Sequence, residues 1–95
     1  MKLKKFGFIV TGGRFRQEQG TSNLHVTVVG LLEKKEAVDV ARQMVVEGIQ
    51  LIELCGGFGP VWAGKIIEAI DHAVPVGAVM YGLESVGGMH EFSKS

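Results

Sequence analysis

The stretch Glu53-Leu54-Cys55-Gly56-Gly57-Phe58-Gly59-Pro60 joins a hydrophobic strand to a helix through a glycine-rich turn. Apolar residues dominate Ile49 to Cys55, and Pro60 is a favoured residue at the first position of a helix. A strand, a short turn and a helix form the unit from which parallel α/β sheets are built. This stretch therefore predicts an α/β fold.

Other segments show similar patterns of apolar residues. Continuous apolar runs predict strands, and apolar residues at helical spacing predict helices. The sequence predicts strands at Phe6–Val10, Leu24–Val29, Ile49–Cys55 and Val74–Tyr81, and helices at Glu33–Glu47 and from Pro60 to Ala73. The polar segment from Thr11 to Asn23 has no periodic apolar face, which predicts a long connection or a short, poor helix.

The order of these elements, β-loop-β-α-β-α-β, predicts a four-stranded, mainly parallel open sheet with two main helices, flavodoxin-like or half-barrel-like. Residues 1–82 form a single domain in this interpretation, and residues 83–95 form a C-terminal tail. With the flavodoxin-like strand order 2-1-3-4, both helices lie on one face and the first connection crosses the other. That other face lacks cover, so we expect a homo-oligomer, a dimer or larger, and the tail is a candidate for its interface.

Composition excludes several classes of partner. Ten basic and ten acidic residues give the 95-residue chain a formal net charge of +0, which argues against binding to nucleic acid or an anionic membrane. The apolar run after Lys2, Lys4 and Lys5 is too short for a signal peptide or a membrane span. With Cys55 as its one cysteine, the chain has no internal disulfide, and we expect a cytoplasmic location.

The glycine-rich turn is the strongest candidate for a binding site. Backbone N–H groups at the start of a helix favour an anionic ligand, so we expect Gly56, Gly57, Phe58 and Gly59 to bind a small anion. Two further candidates are Tyr81 at the end of the last predicted strand and Arg14 in the polar segment. The alternative is that the glycines only permit a tight turn and close packing.

Glu53 and Cys55 are the candidate catalytic residues. They lie two positions apart on one strand, which predicts side chains on the same side. A thiol before a helix N-terminus can be acidified and act as a nucleophile, and a carboxylate in a cleft can act as a general base. The alternatives are a buried core cysteine and a structural ion pair between Glu53 and Arg14 or Arg16. The histidines are scattered, so the sequence predicts no metal site, and it leaves any cofactor unknown.

The run from Leu51 to Pro60, followed by Val74-Pro75-Val76-Gly77-Ala78-Val79 and Tyr81-Gly82, resembles a family of small microbial α/β proteins of unknown function. The likeness covers most of the chain from Phe6 to Gly82, except the segment from Thr11 to Asn23, and implies a compact cytoplasmic α/β domain. It implies no particular activity and no catalytic residue.

Three functions therefore compete. The first is a binding domain for a small anionic molecule, with its site at the turn from Gly56 to Gly59. The second is a small isomerase, lyase or transferase that uses Glu53 as a base or Cys55 as a nucleophile. The third is a structural or regulatory oligomer without a ligand.

Overall fold

The protein folds into a mixed sheet with helices beside it. In a computed structural model, which describes residues 2–94, the elements are β1 (Lys5–Thr11), β2 (Phe15–Gly20), β3 (His25–Leu31), α1 (Glu36–Val46), β4 (Leu51–Leu54), α2 (Gly59–Ala69), β5 (Val76–Ala78), a 3₁₀ turn (Leu83–Ser85) and α3 (Val86–Ser93). The α/β class and the largely parallel sheet are confirmed. The predicted counts of four strands and two main helices are wrong, since the described residues form five strands and three α-helices.

The strands lie in the order β2-β3-β1-β4-β5, and β2 runs antiparallel to β3 while the other neighbours are parallel. The four predicted strands correspond to β1, β3, β4 and β5, and their order matches 2-1-3-4. The last of them is shorter than expected. It ends at Ala78 instead of Tyr81, so Tyr81 lies three residues beyond the strand.

The polar segment after β1 contains the fifth strand, so the prediction of a long connection or a short helix is wrong. All six residues of β2 are exposed, because β2 is an edge strand held mainly by its backbone bonds to β3. Such a strand needs no apolar periodicity. The polar sequence of β2 therefore contains no hydrophobic pattern that predicts a strand.

The chain reaches β2 by crossing the carboxyl end of β3. The N–H of Gly12 donates to the carbonyl of Leu31 at 3.1 Å, and this bond holds the crossing in place. A Cβ atom on Gly30 would collide with the carbonyl oxygen of Gly13 and the ring of Phe15. Only glycine therefore fits at Gly30 without a shift of the crossing segment.

The core lies on one face of the sheet, where both long helices pack, as the sequence predicts. Side chains alternate between the two faces of a strand, and alternate residues of β1 and β4 enter the core. The buried cluster joins Ile9, Ile52 and Leu54 of the sheet to Ala37, Ala41 and Met44 of α1 and to Ile66 and Ile70, at α2 and its C-cap. Helix α1 ends at Val46, and Gly48 follows its C-cap Glu47 with a φ of 85°, which suits the left-handed residue after a helix.

The opposite face of the sheet has no helix on it. We define the open face as six apolar residues that point away from the core: Phe6, Phe8, Val10, Val26, Val28 and Leu51. All six are partly exposed, and within residues 2–94 none belongs to the core or packs against it. The segment that was expected to cross this face lies in the sheet as β2, so the face stays uncovered.

The segment from Leu83 to Lys94 forms a C-terminal arm. It contains the 3₁₀ turn and α3, and neither element has a buried residue. Within the described residues, no helix combines the length and the apolar character needed to cross a membrane.

Candidate functional site

A cleft of about 580 Å³ lies beside the glycine-rich turn, at the carboxyl end of β5 and below α3. Parallel α/β sheets commonly bind ligands at this edge. Most side chains that face the cleft are apolar. Its lining residues are Gly56, Gly59, Pro60, Val79, Met80, Tyr81, Gly82, Val86, Met89, His90 and Ser93.

The turn leads directly into α2. The N–H of Phe58 donates to the carbonyl of Cys55 at 3.1 Å, and Gly59 opens the helix with a φ of 72°. Within residues 2–94, no side chain forms a hydrogen bond that caps this helix. The first-turn N–H groups of α2 and the positive end of its dipole therefore lack a side-chain partner.

The predicted ligand-binding residues of the turn divide into two groups. Gly56 and Gly59 line the cleft. Phe58 is 3% exposed and belongs to the core, while a Cβ atom on Gly57 would lie 3.3 Å from the Oγ1 atom of Thr11. Phe58 and Gly57 thus fix the shape of the turn and are absent from the lining of the cleft.

Tyr81 lies at the cleft although it is outside β5. A Cβ atom on Gly56 would come within 3.0 Å of the Tyr81 ring and within 3.6 Å of its hydroxyl oxygen. The aromatic ring therefore packs on the backbone of the turn, where a side chain at position 56 would displace it. The structure places Tyr81 next to the turn and in the lining of the cleft.

Helix α3 forms one wall of the cleft, and the sequence did not predict this helix. Val86, Met89, His90 and Ser93 line the cleft at spacings of three and four residues, the pattern of one helix face. That spacing is the sequence feature that could have indicated the helix. Gly87 and Gly88 obscure it, because adjacent glycines argue against a short helix.

Cys55 lies just beyond β4 and packs partly against the core. Burial raises the pKa of its thiol, but interactions with the backbone and hydroxyl of Thr11 and with the backbone of Gly57 leave the pKa below its ordinary value of 9.0. The Thr11 Oγ1 atom is 3.7 Å from Sγ. Cys55 is nevertheless not among the residues that line the cleft.

Glu53 is exposed and points to the opposite side from the core residues Ile52 and Leu54. Its register partners are Phe8 on β1 and Gly77 on β5. Cys55 packs against the core, so the two candidate catalytic side chains do not share one pocket as the strand spacing suggested. The chain bends into the turn directly after Leu54, which ends the alternation of side chains.

The ion pair proposed for Glu53 does not form. Arg14 pairs with Glu36 at 3.0 Å and Arg16 pairs with Glu47 at 2.9 Å, and within residues 2–94 Glu53 has no salt bridge. Arg14 is also absent from the lining of the cleft. The two arginines instead tie the segment around β2 to the two ends of α1.

The three histidines lie in different places, and only His90 of the three lines the cleft. His25 bonds to Glu18 at 2.9 Å. No group of three or more His, Cys, Asp or Glu side chains suitable for a metal ion occurs in the part of the chain that the structure describes.

Comparison with known families covers nearly the whole chain. A model described as a family of unknown function (DUF6506) matches residues 4–94, and the chain belongs to that family. The match includes β2 and the C-terminal arm, to which the resemblance seen in the sequence did not extend. No curated protein and no solved structure matches the chain.

Proposed function

We propose that this protein binds a small molecule that combines an anionic group with an apolar body, in the cleft beside the glycine-rich turn. The observation that carries the proposal is the meeting of an uncapped helix N-terminus with an apolar wall in one cleft. The single cysteine fits a protein of the cytoplasm, where a free thiol stays reduced.

The anionic group belongs at the start of α2. Free N–H groups and the helix dipole favour a carboxylate or phosphate at that position. Among the described lining residues, His90 is the one cationic candidate, so backbone groups rather than a clamp of arginines or lysines would hold the anion. Gly59 at the first helical position also lets a ligand approach the backbone closely.

The apolar body belongs between the turn and α3. Val79, Met80, Val86 and Met89 supply apolar contacts, and methionine adapts its shape to different ligands. The hydroxyl of Tyr81 and the ring of His90 supply hydrogen bonds that orient the ligand. A mainly apolar cleft with a few polar groups is the usual composition of a small-molecule site.

Thermal-shift measurements with a panel of small carboxylates and phosphate esters test this proposal. We expect one chemical class to stabilise the protein at millimolar concentration, because a ligand that binds only the folded state raises its stability. A Met89→Trp substitution fills the cleft, and we expect it to remove the stabilisation. The proposal is wrong if no member of the panel stabilises the protein, or if Met89→Trp leaves the stabilisation unchanged.

A second substitution separates anion binding from fold stability. Val61 is 68% exposed and is the third residue of α2, so Val61→Asp places a carboxylate beside the same N–H groups. We expect this variant to be more stable than wild type by about 0.5 kcal/mol, because an acidic residue favours a helix N-terminus. Ligand affinity should fall about tenfold, because the new carboxylate repels the anion.

Val61→Asn is the matched control, since it has the same size as aspartate without the charge. We expect it to bind the ligand with an affinity close to that of wild type. Equal affinity in Val61→Asp and Val61→Asn would show that the anion is bound elsewhere.

An enzyme that uses Cys55 as its nucleophile is the second candidate function. The specific observation in its favour is the lowered pKa of the thiol, which follows from the bonds of Thr11 and Gly57 to the sulfur. Rapid alkylation of Cys55 by iodoacetamide in the folded protein would support this function. If the thiol reacts only after unfolding, this enzymatic function is wrong. The proposal of ligand binding in the cleft would not be affected.

A further inference from the structure

We propose that two copies of this chain form a dimer through the open face of the sheet together with the exposed side of the C-terminal arm. The open face consists of Phe6, Phe8, Val10, Val26, Val28 and Leu51. The proposal does not depend on the ligand, because the open face and the arm residues Leu83 and Phe92 lie outside the lining of the cleft.

The open face has the composition of an interface. The six apolar residues occupy the centre of this side of the sheet, on β1, β3 and β4. Polar residues on the same side lie near its margins. Gln17 and Gln19 lie on the edge strand β2, in register with Val28 and Val26. Glu53 lies toward the other margin, beside Gly77 of β5. An apolar centre with a polar rim is typical of surfaces that bind another protein.

The parallel arrangement of the sheet also calls for cover. Parallel sheets are almost always buried on both faces, because their strands carry apolar residues on both sides. Here the helices bury one face, and within residues 2–94 none of the six open-face residues belongs to the core or packs against it. Phe6 and Phe8 are aromatic side chains that remain partly exposed there.

The C-terminal arm presents a second uncovered apolar surface. Leu83 is 90% exposed and Phe92 is 72% exposed, and neither lines the cleft. Val86, Met89, His90 and Ser93 line the cleft, so contacts made by Leu83 and Phe92 leave the lining of the cleft intact. The arm can therefore serve the ligand site and a partner at once.

The area of these surfaces fits a second copy of the chain. Five strands of up to seven residues present a face on the order of 400 Å², from strand spacings of about 4.8 Å and a rise of about 3.3 Å per residue. A stable dimer buries about 800 Å² on each partner, so the sheet supplies about half. In the proposed dimer the remainder comes from the arm, where Leu83 and Phe92 are also exposed.

Charge also favours a second copy. Among the strand residues on the same side of the sheet as the open face, one side chain is charged. It is Glu53, which lies near a margin rather than at the centre. An acidic or basic partner would find no complementary charges there, whereas an apolar face is complementary to itself. Two such sheets pack about 10 Å apart, with the helices on the outside.

Sedimentation velocity measures the oligomeric state directly. We expect wild type to sediment at micromolar concentration as a species of twice the chain mass of 10.2 kDa. Phe8→Glu puts a charge at the centre of the open face, and we expect it to weaken dimerisation at least about 100-fold. For Phe92→Glu, which affects the arm alone, we expect a loss of about tenfold.

Val46→Glu is the matched control. Val46 is 80% exposed at the end of α1, away from both proposed surfaces, and this variant should dimerise like wild type. If wild type is still a monomer at about 100-fold above micromolar concentration, the proposal is wrong, and a different protein would be the expected partner of the open face. An unchanged dimer in Phe8→Glu would exclude the open face, and an unchanged dimer in Phe92→Glu would exclude the arm.

Hydroxyl-radical footprinting of wild type covers the case in which Phe8→Glu fails to fold. As concentration rises, we expect Phe8, Leu83 and Phe92 to become protected, while Val46 keeps its reactivity. Constant labelling of Phe8 across that range would contradict the dimer.

Discussion

Cys55 owes its chemical character to residues on two neighbouring chain segments. Its own segment supplies the backbone of Gly57, and β1 supplies the backbone and hydroxyl of Thr11. Burial raises the pKa of the thiol, but interactions with these groups hold it below its ordinary value of 9.0. The sequence shows the cysteine before a helix, but the contribution of Thr11 depends on a contact 44 residues away.

Replacement of Thr11 by valine tests this origin of the acidity. Thr11→Val removes the hydroxyl donor and keeps the side-chain volume, so we expect the pKa of Cys55 to rise toward its ordinary value. The rate of iodoacetamide alkylation as a function of pH measures the change. Thr21→Val, in the turn between β2 and β3, is the control, and an equal shift in both variants would contradict the assignment.

Gly30 is the residue on which the path from β1 to β2 depends most. Gly30→Ala would force a Cβ atom against the carbonyl oxygen of Gly13 and the ring of Phe15. We expect a loss of about 1–3 kcal/mol in the free energy of unfolding, measured by urea denaturation. Gly13→Ala is the control, since a Cβ atom there meets nothing within 4 Å. Equal stability of the two variants would contradict this crowding.

At the scale of the elements, β2 is attached to the rest of the protein by carboxylates as well as by its backbone. Glu18 bonds to His25, Glu47 bonds to Arg16, and Glu36 bonds to Arg14 just before the strand. The pKa values of all three carboxyl groups lie below their ordinary 4.5. The largest causes are hydrogen bonds from His25 to Glu18, from the N–H of Glu33 to Glu36, and from Arg16 to Glu47.

These shifts predict that acid releases β2. A carboxyl group whose pKa is lower in the folded state stabilises it above the unfolded pKa, and this contribution is lost as the pH falls through the folded pKa. We therefore expect the amide protection factors of Phe15–Gly20 to fall as the pH drops below the ordinary carboxyl value of 4.5, before those of β1 fall. Native-state hydrogen exchange by NMR measures both strands.

Glu47→Gln tests the contribution of one pair. This variant should show lower protection in β2 at pH 7 and lose less protection as the pH falls, because the bond to Arg16 no longer gains from ionisation. Glu68→Gln on α2 is the control and should keep the pH dependence of wild type. An identical profile for wild type and Glu47→Gln would show that the Arg16 pair does not hold β2.

At the scale of the whole molecule, the sequence predicts those parts of the fold that depend on the pattern of apolar residues. The continuous strands, the amphipathic helix α1 and the turn before α2 all follow from residue spacing, and so does a sheet covered on one face. It could not predict β2, because an exposed edge strand is held by backbone pairing that leaves no apolar signal. It also missed the wall of the cleft, because α3 is short and contains Gly87 and Gly88.

The order of strands in space has a consequence for how the protein is made. Strand β1 lies at the middle of the sheet, yet it precedes both of its neighbours, β3 and β4, along the chain. During synthesis one edge of β1 lacks a partner until β3 has emerged from the ribosome, and the other edge lacks one until β4, which ends at Leu54, has emerged. Nascent chains that stop before β4 therefore expose a central strand that can pair with other chains.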